Sequence, residues 1–111
     1  MIEIVVTETF GTWYGALVDD DADAVNRVVD LLAQLGVALG YPHSSAIRGV
    51  SFPLRELRAQ SHGKPLRVFY AFDVERQAVL LVGGDKTGKN KGKFYKEMIA
   101  KAEKEWRSYR R

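Results

Sequence analysis

A chain of 111 residues with 46% hydrophobic and 28% charged side chains has enough apolar material for one packed core and too little length for two. It contains no cysteine and only two histidines, His43 and His62, which excludes disulfides, thiolate chemistry and cysteine–histidine zinc sites. The net charge of +3 conceals a split: residues 1–40 balance at −6 with Arg27 their one base, residues 41–84 at +3 and residues 85–111 at +6.

Ile2 to Val6 is a short β-branched run that reads as an edge strand, and TETFGTWYGALV after it reads as a short helix. The acidic cluster Asp19 to Asp21 suits a helix N-terminus, where carboxylates meet orphan amides and the positive end of the dipole. Val25, Val28, Val29, Leu32 and Leu35 then recur at the spacing of one helical face, with Gly36 as the expected C-cap. Gly40, Pro42, Ser44, Ser45 and Gly49 punctuate a stretch with neither period, which reads as a loop. Three strand-like runs follow, Ser51 to Ala59, Leu66 to Asp73 and Ala78 to Val82, and their short connections imply an antiparallel meander. AVLLV lacks polar alternation and is expected deepest in the sheet. After a Gly- and Lys-rich loop, Asn90 is a suitable N-cap for a final helix with Tyr95, Met98, Ile99, Ala102 and Trp106 on one stripe. The expected whole is one α+β domain over residues 1–111, with one mainly antiparallel sheet, an N-terminal helical pair and a C-terminal helix. No signal peptide or long apolar run is visible, so the expected location is the cytoplasm.

The charge split directs a polyanion to the second half of the chain and away from the first forty residues, although a solvated Lys-rich helix accounts for the same counts. Gly83 to Lys89, GGDKTGK, satisfies the GxxxxGK part of a phosphate-binding loop. It lacks the Ser or Thr that would hold magnesium, Asn90 standing there, and only 22 residues follow Lys89, too few for the parallel domain such a loop opens. The same loop reads instead as a mobile cationic arm of Lys86, Lys89, Lys91 and Lys93 interleaved with glycines, suited to following an RNA backbone.

LRELR (54–58), LRVFYAF (66–72) and above all VLLVGGDKTGKNKGKFYKEMIAKAEKEW (79–106) resemble the HigB-like branch of the RelE/ParE toxin superfamily, which includes phage-derived homologues. The resemblance implies a RelE-like fold and a toxin that cuts messenger RNA in the ribosomal A site without metal or cofactor, paired with a helix-turn-helix, HigA-like antitoxin. ParE members of the same fold poison DNA gyrase instead, so a non-enzymatic inhibitor, or a relative that only binds its antitoxin, is the alternative. Metal-independent cleavage needs a base for the RNA 2′-hydroxyl, cations for the phosphate and a proton for the leaving oxygen.

By resemblance Arg67 meets the scissile phosphate through its guanidinium fork, and Arg58 positions substrate beside it. Arg55 lies three residues from Arg58, on the opposite face of a regular strand, and is assigned to RNA binding. Lys86 and Lys89 both match the basic position after the last strand, where a lysine surrounded by positive charge would have a lowered pKa. Tyr95 matches an aromatic that stacks a base, though its spacing fits the apolar stripe equally well. His62, in a turn near Arg58, and Lys91 and Lys93 complete the expected RNA-binding set, whereas Trp13, Trp106, Tyr109 and the Arg110–Arg111 tail are read as core and surface.

Overall fold

The apolar runs assemble into one five-stranded sheet in the computed structural model, which describes residues 1–110. β1 is Ile4–Val6, β2 Ser44–Ala46, β3 Arg55–Ser61, β4 Lys64–Phe72 and β5 Ala78–Asp85, in the order β1-β5-β4-β3-β2. β1 runs parallel to β5 at one edge and every other pairing is antiparallel. α1 (Glu8–Gly15) and α2 (Asp19–Leu35) cover one face, and α3 (Lys91–Tyr109) covers the other. Among the described residues no helix is long and apolar enough to cross a membrane. Arg111 of the expected tail lies outside the described residues.

The helices begin and end where their chemistry directs. Thr7 caps α1 by accepting from the Phe10 amide, α2 opens at Asp19 and closes on Gly36 at φ 56°, and Asn90 caps α3 by accepting from the Lys93 amide.

The sheet departs from the expected one in four ways. The stretch read as a loop contributes β2, whose three residues carry no alternation and which exists through pairing with β3 and the buried Ser44 Oγ–Tyr70 Oη hydrogen bond of 2.6 Å. β3 starts at Arg55 instead of Ser51 and runs on to Ser61, because the turn contracts to His62 and Gly63, at φ 49° and 79°, the left-handed pair that matches strand twist. The centre of the sheet is β4, with β5 beside it, so the AVLLV run is interior without being deepest. Finally, Gly83, Gly84 and Asp85 are strand residues.

The two glycines are needed there because both faces of β5 are covered at once. A Cβ on Gly83 would fall inside the Trp13 indole of α1, and one on Gly84 would lie 2.9 Å from Met98 Sδ and 3.1 Å from Phe94 on α3. A bulge near Leu81 sets this phase: Phe69 opposes Val82 while Tyr70 opposes Leu80, so both Leu81 and Val82 pack in the core under α3. Gly84 then opposes Arg67, and two residues later Lys86 emerges on the α3 face.

The N-terminus of α2 is fastened to the β3–β4 hairpin by Asp21, which is buried and accepts from Ser61 Oγ and Lys64 Nζ, each at 2.6 Å. Those two bonds, Lys64 first, hold the Asp21 carboxyl below its ordinary value of 3.8, and Asp21 in turn raises Lys64. A depressed carboxylate stabilises the fold fully above its unfolded pKa and ceases to do so as pH falls through the folded one. Asp21→Asn is therefore expected to lower Tm at neutral pH, with the gap to the wild type closing in melts below pH 3.8. A gap that stays constant with pH would show that packing, and not charge, secures this corner.

Candidate active site

On the α3 face, β3 presents Glu56 and Arg58 at the two-residue period of a strand, and β4 places Phe69 opposite Glu56 and Arg67 opposite Arg58. Arg67 is therefore flanked by a guanidinium on one side and by Gly84, which has no side chain, on the other. α3 crosses above them and lowers Tyr95 onto Phe69, ring edge to ring face at 5.9 Å between centroids.

The centre of the cluster is the Glu56 carboxylate, 4% exposed. Its Oε1 accepts from the Tyr95 hydroxyl at 2.6 Å and lies 3.5 Å from Arg67 Nε. Its Oε2 meets Arg58 at 3.5 Å and Ser45 Oγ at 3.3 Å, so the unexpected strand β2 also supplies a ligand. Arg67 is 8% exposed and donates to the Leu66 carbonyl, yet its Nε–H is buried with no hydrogen-bond partner, the 3.5 Å approach to Glu56 being an ion-pair contact only. The Arg67 cation is thus neutralised by Glu56 across an ion-pair distance, with one donor left unsatisfied.

Lys86 reaches over the Tyr95 ring, Nζ 5.6 Å from its centroid. Burial chiefly, then the positive charges of Arg67 and Lys91, push its pKa down, so its proton is held less tightly than that of an ordinary lysine. The Tyr95 phenol moves the other way, raised by burial and by its bond to the Glu56 carboxylate, and stays protonated at neutral pH. The site therefore holds a carboxylate that can accept a proton, two guanidiniums for a phosphate and a lysine disposed to release a proton.

The expected residues divide by position. Arg58, Arg67, Lys86 and Tyr95 converge on one cluster. Lys89 lies next to it, 6.0 Å from the centroid of the Phe94 ring, and Lys91 and Lys93 are exposed on the first turn of α3. The cationic arm is thus a short turn and not a free loop: Asp85 accepts from the Thr87 amide and hydroxyl, Lys89 N bonds the Lys86 carbonyl, and Asn90 starts the helix. Arg55 faces the other side of the sheet, where its Nε donates to Ser44 Oγ at 3.2 Å and Tyr70 Oη at 3.3 Å. His62 also turns toward the helical pair and bonds Asp20 at 2.8 Å. Tyr95 packs its ring against the core, as its place on the apolar stripe predicts, and its hydroxyl enters the cluster.

Glu56 was not among the expected residues. A signal for it exists in LRELR: at a period of two it shares its face with Arg58, the residue favoured for the site.

Comparison with known proteins identifies the family. Residues 12–107 match the family described as phage derived protein Gp49-like. The chain is 40% identical over 77 residues to "Putative toxin HigB3" of Mycobacterium tuberculosis, covering 68% of this chain and 66% of that one. It is 33% identical over 84 residues to "Putative toxin HigB2" of the same organism, covering 74% of this chain and 42% of that one. It thus spans just under two thirds of the length of the first relative and less than half of the second. With most of its length inside that family match, the chain belongs to the Gp49-like family of phage-derived proteins, and within it resembles the HigB-like toxins.

Proposed function

We propose that the protein is the toxin of a toxin–antitoxin pair and a metal-independent endonuclease that cuts messenger RNA on the ribosome. The observation that carries this reading is the Glu56 carboxylate buried among Arg58, Arg67 and Tyr95, with Lys86, its pKa lowered by burial and neighbouring cations, above. Glu56 takes the proton of the RNA 2′-hydroxyl, whose oxygen attacks the neighbouring phosphorus. The guanidiniums of Arg67 and Arg58 hold the phosphoryl oxygens as charge grows on them. Lys86 gives a proton to the departing 5′-oxygen. The O2′–P bond forms and the P–O5′ bond breaks, leaving a 2′,3′-cyclic phosphate and a free 5′-hydroxyl. Tyr95, half-buried, orients Glu56 and offers the accessible part of its ring to a base. Lys89, Lys91 and Lys93 carry the flanking backbone. The partner that restrains this activity is an antitoxin, with a HigA-like helix-turn-helix protein as the expected kind.

Primer extension on messenger RNA in a reconstituted translation mixture tests the proposal, with ribosomes omitted as a control. The wild-type chain is expected to give cuts only with ribosomes. Arg67→Ala should reduce them about a hundredfold or more, the scale of losing one transition-state contact to a buried charge, and Lys89→Ala should reduce them less. Folded protein that leaves the message uncut would overturn the nuclease and favour a non-enzymatic toxin.

A further inference from the structure

The sheet ends at β1, far from Glu56 in the strand order. The Glu3 carbonyl accepts from Ala78 and the Thr7 amide donates to Leu80, so those groups face β5. Alternation along the strand then turns the amides and carbonyls of Ile4 and Val6 outward, to an edge with no neighbouring strand. Val6 is 55% exposed, although it belongs to an apolar run.

Beside this edge a groove of about 290 Å3 opens between α1 and α2. Its walls are almost wholly apolar, with Ile4, Val6 and Leu80 on the sheet, Phe10 and Tyr14 on α1 and Val29 on α2. Asn26, the polar residue at its rim, is held by the Tyr14 hydroxyl at 2.8 Å.

The surroundings of the groove are acidic. Asp23 and Asp30 stand three residues before and four after Asn26, hence on the same exposed side of α2, with Arg27 the one base between them, and Glu3 and Glu8 are exposed at the two ends of β1. None of these four carboxylates forms an ion pair among the described residues. They account for much of the −6 balance of residues 1–40. An RNA backbone would be repelled here, and a cationic polypeptide attracted.

We infer that the β1 edge and its groove bind a basic, extended segment of a partner protein. Its backbone hydrogen bonds to Ile4 and Val6 as a sixth strand, an apolar side chain fills the groove, and lysines or arginines meet Asp23 and Asp30. The inference rests on the proposed antitoxin pairing only for the identity of the probe.

That probe is the protein encoded beside this chain, mixed with the full-length toxin. Calorimetry is run on the wild type, Val6→Lys and the double variant Asp23→Lys/Asp30→Lys, with thermal melts as the control on folding, and hydrogen exchange on the wild-type complex. The expected result is slowed exchange at Ile4 and Val6, and binding weakened at least tenfold in each variant with Tm unchanged. The loss from the charge variant should shrink as salt is added. Binding that neither variant weakens, or protection confined to residues 86–96, would overturn the surface while leaving the toxin reading intact. A dimer of this chain that Val6→Lys dissolves would give the groove to a second copy and overturn it equally. Absence of any complex would remove the antitoxin pairing and this inference together, without touching the cleavage assay.

Discussion

Glu56→Gln is expected to lower cleavage by about 10²–10⁴-fold, the usual contribution of a positioned general base, while the protein stays folded. Glutamine keeps the volume of the side chain and an oxygen for the Tyr95 hydroxyl, so the cluster around Arg67 retains its shape. What it lacks is a site for the 2′-hydroxyl proton. The loss should fall on kcat, with KM little changed, because Arg58, Arg67 and the lysines that bind phosphate are untouched. Single-turnover cleavage with saturating ribosomes checks it, and a Glu56→Gln chain that cuts at the wild-type rate would remove Glu56 from the chemistry. Glu56→Ala is a different experiment. Besides the negative charge, which glutamine also lacks, it removes the side-chain volume and the oxygen that accepts from Tyr95, and should destabilise the fold by about 3–5 kcal/mol, so lost activity there would not distinguish base from scaffold.

Trp106→Ala is expected to cost about 3–5 kcal/mol, the range for deleting a large core aromatic, and to lower Tm by more than about 12 °C. Trp106 is 7% exposed near the end of α3, stacked on Phe52 at 5.5 Å and on Tyr109 at 6.1 Å. Its indole N–H has no partner in its buried position, so Trp106→Phe should recover most of the loss. Thermal melts of the two variants make the comparison. Since α3 also carries Tyr95, the alanine variant is expected to lose cleavage at temperatures where its far-ultraviolet dichroism is still largely native. If Trp106→Phe proves as damaging as Trp106→Ala, volume is not what holds the helix.

The helices could be read from the chain because their signals are local. Asp19 at the start of α2, Gly36 at its end and Asn90 before α3 each act through neighbours a few residues away. The sheet was legible in its meander and less so at its margins. β2 has no pattern of its own and depends on Leu57, Glu56 and Arg55 across from it, while the bulge at Leu81 depends on the register of β4. In the site, the cationic positions stood out because the resemblance to HigB-like toxins falls on them and charge is conspicuous in sequence. Glu56 did not, because a glutamate between Arg55 and Leu57 has the composition of a solvated strand face, and only tertiary packing buries it.

Gly83 and Gly84 make one point of the sheet a single peptide thick, with the Trp13 indole against one side and Phe94 and Met98 against the other. The acidic helix pair and the basic helix α3 are elsewhere kept apart by two layers of side chains, but here they share a wall. A side chain at Gly83 would have to displace Trp13, and one at Gly84 would have to displace Met98 and Phe94. The helix that lines the groove therefore also carries the indole that lies directly across one peptide from Phe94, the residue before Tyr95.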